Sequence, residues 1–160
     1  MKKIIMLFVM SIVMISVTGC SSDDNSTPTF NKADLFGSWE HVSSKVFDPK
    51  KKLLGEAAAE NKDNCGVLVM SFTESQMGYV KYEGKDYNGN CIEVIDMSGY
   101  ELRGNRIYEK DENGDLDEDV FLDIKSLNGN TLVLFQKLEK PFIYNGIAFQ
   151  YLEMYMRRVK

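Results

Sequence analysis

From Gly37 onward the apolar residues recur at every second position. Leu68, Met70 and Phe72 share one face of an extended chain, and so do Val120, Leu122 and Ile124, with Asp123 and Lys125 on the other. A period of two marks a half-buried β-strand. The strand-like runs are parted by Gly, Asn and Asp, and three partings share a pattern: Tyr87-Asn88-Gly89-Asn90-Cys91-Ile92, Leu102-Arg103-Gly104-Asn105-Arg106-Ile107 and Leu127-Asn128-Gly129-Asn130-Thr131-Leu132. Each sets Gly-Asn ahead of an aliphatic residue, and both Gly and Asn accept the positive φ that tight hairpins need. Asp111-Glu112-Asn113-Gly114 is a fourth turn signal. The predicted strands are Gly37 to Phe47, Gly66 to Thr73, Gln76 to Tyr82, Cys91 to Met97, Gly99 to Leu102, Asn105 to Glu109, Asp119 to Ser126, Thr131 to Leu138 and Phe142 to Val159, the last with a turn at Asn145-Gly146.

Hairpin after hairpin makes neighbouring strands antiparallel. The expected fold class is therefore all-β: an antiparallel up-and-down meander of about eight or nine strands that closes into a barrel and hides its edges. A loop at Asn128 to Asn130 sets Leu134 opposite Ile124 and Leu132 opposite Ser126, which keeps the aliphatics together. One stretch, Leu53 to Glu60, has helical composition. It lies inside the long connection Asp48 to Asn64, which is expected to cover an open end.

The N-terminus follows another pattern. Met1-Lys2-Lys3 precedes an apolar run, Ile4 to Val17, broken only by Ser11 and Ser16. This is the layout of a secretory signal, and the run is short for a membrane span. It ends in Val17-Thr18-Gly19-Cys20, which resembles the lipobox of bacterial lipoproteins. The resemblance implies cleavage before Cys20 and acylation of its thiol and amine. Acyl chains bury at about 0.8 kcal/mol per CH₂, so two or more anchor a protein stably. The expected organisation is a signal peptide over 1–19, a lipidated cysteine and polar tether over 20–34, and one domain over 35–160. Asp23 and Asp24 in the tether resemble the acidic surface-export signal of lipoproteins from one phylum of Gram-negative bacteria. The expected location is the outer membrane, lipid-anchored and facing outward, with the periplasmic face as the alternative.

The domain opens with Leu35-Phe36-Gly37-Ser38-Trp39-Glu40 and closes with Tyr155-Met156-Arg157-Arg158. Gly-x-Trp on a first strand resembles the lipocalin signature, and the whole layout is similar to bacterial lipocalin-like lipoproteins. The resemblance implies a barrel with an interior site for small hydrophobic molecules and no catalytic residues. It also implies a structural base in which Gly37 and Trp39 meet an arginine of the last strand, Arg157 or Arg158, packed over the indole.

Composition narrows the picture further. The net charge is −5 and becomes more negative once Lys2 and Lys3 leave. An acidic domain without a basic patch argues against nucleic acid as a partner. In an oxidising compartment Cys65 and Cys91 are expected to pair, closing a loop of about 26 residues for about 3.5 kcal/mol. His41 is the sole histidine, and no Gly-x-Ser-x-Gly, His-Glu-x-x-His or P-loop occurs, so no enzyme, metal or cofactor is expected. Asp111 to Asp119 starts like a calcium loop but carries Leu116 where Gly belongs and Leu122 where Glu belongs. Two functions stay open. In the first, a small hydrophobic ligand fills an interior lined by Leu68, Met70, Phe72, Val80, Leu122, Ile124 and Leu134. In the second, a filled barrel binds an envelope protein or a glycan through its surface, with Tyr79, Tyr82 and Tyr87 as exposed aromatics.

Overall fold

The structure, a computed structural model, describes residues 30–144 and 147–160. The signal, Cys20 and most of the tether lie outside those residues, as does the turn at Asn145-Gly146. A short helix α1 (Lys32–Leu35) leads into nine strands: β1 (Gly37–Phe47), β2 (Leu53–Ala58), β3 (Val69–Phe72), β4 (Gln76–Lys85), β5 (Cys91–Arg103), β6 (Arg106–Lys110), β7 (Leu116–Leu127), β8 (Thr131–Tyr144) and β9 (Ile147–Arg158). Strands β1 and β3 to β9 pair in chain order, and β9 returns to β1 from Trp39↔Arg158 to Phe47↔Tyr151. The result is a closed antiparallel barrel of eight strands, as the alternation and the turns predict. Every pairing that closes it lies between Gly37 and Arg158, so residues 30–160 contain a complete barrel.

β2 is the departure from a plain meander. Leu53 to Ala58, read from composition as helical, is a strand paired to the upper half of β1 from Ser43↔Ala58 to Phe47↔Leu53. The lower end of β1 is occupied by β3, Gly37↔Phe72 to Glu40↔Val69. The rest of that edge would lie open, and a six-residue segment is too short to hold a helix against it. The chain then swings out through 59–68 to the upper half of β4. The disulfide Cys65–Cys91 ties that excursion to the start of β5. Gly84 in β4 has φ +103, and a Cβ there would stand 2.6 Å from Asp63 Oδ2. Its bulge lets the excursion lie close against the strand.

Two strands separated in the sequence reading are one. Cys91 to Arg103 runs unbroken, and Gly99 is where β5 exchanges its partner β4 for β6. The β7–β8 register carries Ile124↔Leu134 as expected, but Ser126 faces Val133, and Leu132 faces Leu127. A bulge at Lys125 absorbs the extra residue, which alternation alone does not reveal. At the other end of the barrel, three hairpins share one turn. The Oδ1 atoms of Asp48, Asp86 and Asp111 each accept hydrogen bonds from the backbone N–H groups two and four residues on. The Asp111 carboxylate, held below its ordinary range chiefly by the Asp115 N–H, is thus a turn anchor.

The two ends are built differently. At the closed end, Leu35 and Trp39 are fully buried, and Phe72, Tyr100, Ile107, Ile124, Leu132, Leu134 and Met156 pack around them. The last residues read as tether are part of this end, because Asn31 caps α1 through a hydrogen bond from Ala33 N–H and α1 delivers Leu35. The indole Nε1 donates to Leu35 O at 2.8 Å. Of the two candidate arginines, Arg158 lies over the indole, 4.1 Å from the ring centroid. Its guanidinium donates to Phe36 O, Asp34 O and Gly129 O. Gly37 has φ +113, and a Cβ there would stand 3.0 Å from Arg158 Nη1, so glycine answers both demands. Arg157 points out to Glu40.

Candidate functional site

Above this plug the barrel is hollow. A cavity of about 270 Å³ is lined by Leu68, Met70, Met77, Gly78, Tyr79, Asp96, Ser98, Ile107, Glu109, Phe121, Leu122, Gln136 and Met154. Its floor, Met70 and Ile107, is the top of the packed core. The wall is uneven because β6 is short. β6 ends at Lys110 opposite Gly99, whereas β5 runs on to Cys91 beside β4 alone. The mouth is therefore lowest beside Asp96, Ser98 and Glu109.

The lining divides by chemistry. Leu68, Met70, Met77, Ile107, Leu122 and Met154 give an apolar surface, and thioethers adapt to irregular shapes. Apart from Gln136 on β8, the polar groups sit on β4, β5 and β6. The Tyr79 hydroxyl donates to Asp96 Oδ2 at 3.1 Å. That hydrogen bond, ahead of burial and the carboxylate's charge, holds the phenol above its ordinary range. Glu109 stands opposite Tyr100. Tyr100 is itself buried and donates to Thr73 O at 2.8 Å.

Of the residues expected to line an interior site, Leu68, Met70 and Leu122 do so. Phe72, Ile124 and Leu134 point inward too but lie lower, inside the packed core. Val80 does not line the cavity: Met70↔Tyr79 and Phe72↔Met77 put the odd-numbered residues of β4 inside, which turns Val80 outward toward Ile95. The turn Glu74-Ser75 pairs Phe72 with Met77 without a register shift, so the β3–β4 hairpin itself puts Val80 on the outer face. Sequence reasoning missed Tyr79, Asp96, Ser98, Glu109 and Gln136. A search for polar residues at inward parity on β5 and β6 would have found Ser98 and Glu109 once β4 was placed. Tyr79 was read as a surface aromatic; Tyr82 instead packs over Gly66, and Tyr87 stands free at a hairpin tip.

Trp39 lies in the plug and not in the cavity wall. His41 Nε2 and Ser44 Oγ are 2.7 Å apart at a bulge in β1. Neither lines the cavity. Burial lowers the His41 pKa, with a backbone hydrogen bond at Ser43 opposing. Among the described residues no cluster of His, Cys, Asp and Glu is arranged to hold a metal ion. A search against protein-family models and against curated proteins finds no match to this chain.

Proposed function

We propose that this protein is a lipocalin-like envelope lipoprotein, anchored through acylated Cys20, whose barrel binds a small hydrophobic molecule in its upper half. One observation carries the reading. The interior is filled at one end and, directly above, leaves an apolar space of about 270 Å³ with a few convergent polar groups. Ligand sites of soluble barrels combine an apolar lining with a small number of placed polar atoms. The volume sits just under the usual range of about 300–1,000 Å³ for drug-sized ligands, so the molecule is small. It equals the share of about nine liquid waters. The lipobox-like Cys20 and the acidic tether support an outer-membrane location, outward-facing, and the site requires no catalytic group.

Native mass spectrometry of residues 30–160, purified from a periplasm without detergent, tests this. The expected result is an added mass of one to a few hundred daltons, lost on organic extraction. A bare mass that persists after incubation with envelope extract would reject the reading.

A second reading has its own observation. The upper half of β5 has β4 on one side and, among the described residues, no strand on the other, and Ile92, Ile95 and Met97 are exposed along it. An open, apolar strand edge can accept a strand from an envelope protein. Crosslinking at Ile95 in intact cells should then recover one partner, and its loss in an Ile95→Lys variant would locate the contact.

A further inference from the structure

We propose that the cavity selects molecules that carry a protonated amine on a short apolar body. This rests on the reading of the cavity as a ligand site and adds the class of ligand it takes. Two carboxylates, Asp96 and Glu109, face the cavity, and no Lys, Arg or His lines it. Their placement follows from the fold. Asp96, Ser98 and Tyr100 succeed one another on the inward face of β5, and Glu109 is the register partner of Tyr100 on β6. Both acids therefore flank the low side of the wall, where a ligand's polar end would sit once its apolar end rests on Met70 and Ile107.

Neither carboxylate is neutralised from within. Among the described residues no lysine or arginine forms a salt bridge with Asp96 or Glu109. Lys81, the next residue of β4 in step with Tyr79, is 3.3 Å from Glu83. The Tyr79 hydroxyl spends its proton on Asp96, which leaves its oxygen as an acceptor. The polar side of the cavity thus offers acceptors and negative charge: two carboxylates, a phenol oxygen and the Ser98 hydroxyl. A fatty acid would set a third carboxylate against two others. An ammonium meets opposite charge and hydrogen-bond acceptors together, the arrangement that gives strong charge-assisted bonds.

Calorimetric titration of residues 30–160 with octylamine, octanol and octanoate, at neutral pH and low ionic strength, separates the ideas. Octylamine should bind about tenfold more tightly than octanol, and octanoate more weakly than either. In the doubly isosteric variant Asp96→Asn/Glu109→Gln, the advantage of octylamine over octanol should shrink to within about twofold. Both positions are exposed, and an unchanged melting curve would confirm that the variant folds. Octanoate or octanol binding as tightly as octylamine, or a preference that survives the double substitution, would overturn the inference while leaving the cavity a ligand site. Failure of all three probes to bind would overturn the ligand-site reading and this inference with it.

Discussion

The closed end and the wide end of this barrel are made of the same strands, yet one is solid and the other hollow. At the closed end, a tryptophan, a phenylalanine and a tyrosine fill the bore, α1 adds Leu35, and Arg158 stitches three carbonyls over the indole. At the wide end, the inward positions pass to methionine, leucine and polar residues, β6 stops early and, among the described residues, no helix descends into the opening. Strand alternation sets only which side chains point inward. Side-chain size and strand length decide whether they meet across the bore.

That contrast can be broken from either side. The largest effect should come from the plug: Trp39→Ala removes a fully buried indole and should cost about 3–5 kcal/mol in urea unfolding. A loss below about 1 kcal/mol would mean that the closed end is not a tightly packed core. The Cys65–Cys91 bridge closes a separation of 26 residues on the upper wall, far from the plug. Replacing both cysteines with serine should cost about 3.5 kcal/mol, less any native strain the bridge now stores. Native-state hydrogen exchange should then show loosening in 59–68 and the start of β5 ahead of the closed end.

The two adjacent arginines give a finer test. Arg158→Leu leaves three carbonyls without their donor and uncovers the indole, so about 2–3 kcal/mol should be lost. Arg157→Ala removes an exposed pair with Glu40 and should stay within about 1 kcal/mol. Equal effects would contradict the placement of Arg158 at the base. The smallest expected effect is a pH dependence. His41 has a lowered folded-state pKa because of its burial, so the unfolded chain binds the proton more readily. Its contribution is present above the unfolded value and is lost as pH falls through that value toward the folded one. Melting temperature should decline slightly between pH 7.5 and pH 5, and His41→Gln should flatten that slope. The lowered carboxylates, Asp86, Glu101 and Asp111, lose their contribution as pH falls through the ordinary carboxylate range, so they add to the decline only at the acidic foot of this window.

Much of the barrel was legible because alternation and turn chemistry are local. The β1 limits, Gly37 and Phe47, match the sequence reading, and the Gly-Asn turns at 88–90, 104–105 and 129–130 all fall between paired strands. What was not legible depends on partners distant in sequence. Leu53 to Ala58 is a strand only because β3 is too short to cover β1. Gly99 reads as a break, yet it is the bend at which one strand serves two neighbours. The interior positions teach the same lesson. Leu122 and Ile124 share a face, but Leu122 lines the cavity and Ile124 lies in the core, because alternation gives a residue's face and not its height in the bore. Val80 is apolar but faces outward, because the β3–β4 hairpin pairs Phe72 with Met77 and Met70 with Tyr79, so hydrophobicity alone does not give its face.

The most direct test of a hollow wide end above a solid base is to fill the hollow. Leu122→Trp places an indole in the cavity and leaves Trp39, Leu35 and Arg158 of the plug in place. Octanol titrated calorimetrically into the wild-type barrel should bind, and in the Leu122→Trp barrel binding should vanish while the melting temperature holds or rises. Equal binding by both proteins would place the site elsewhere and contradict the cavity as the seat of function.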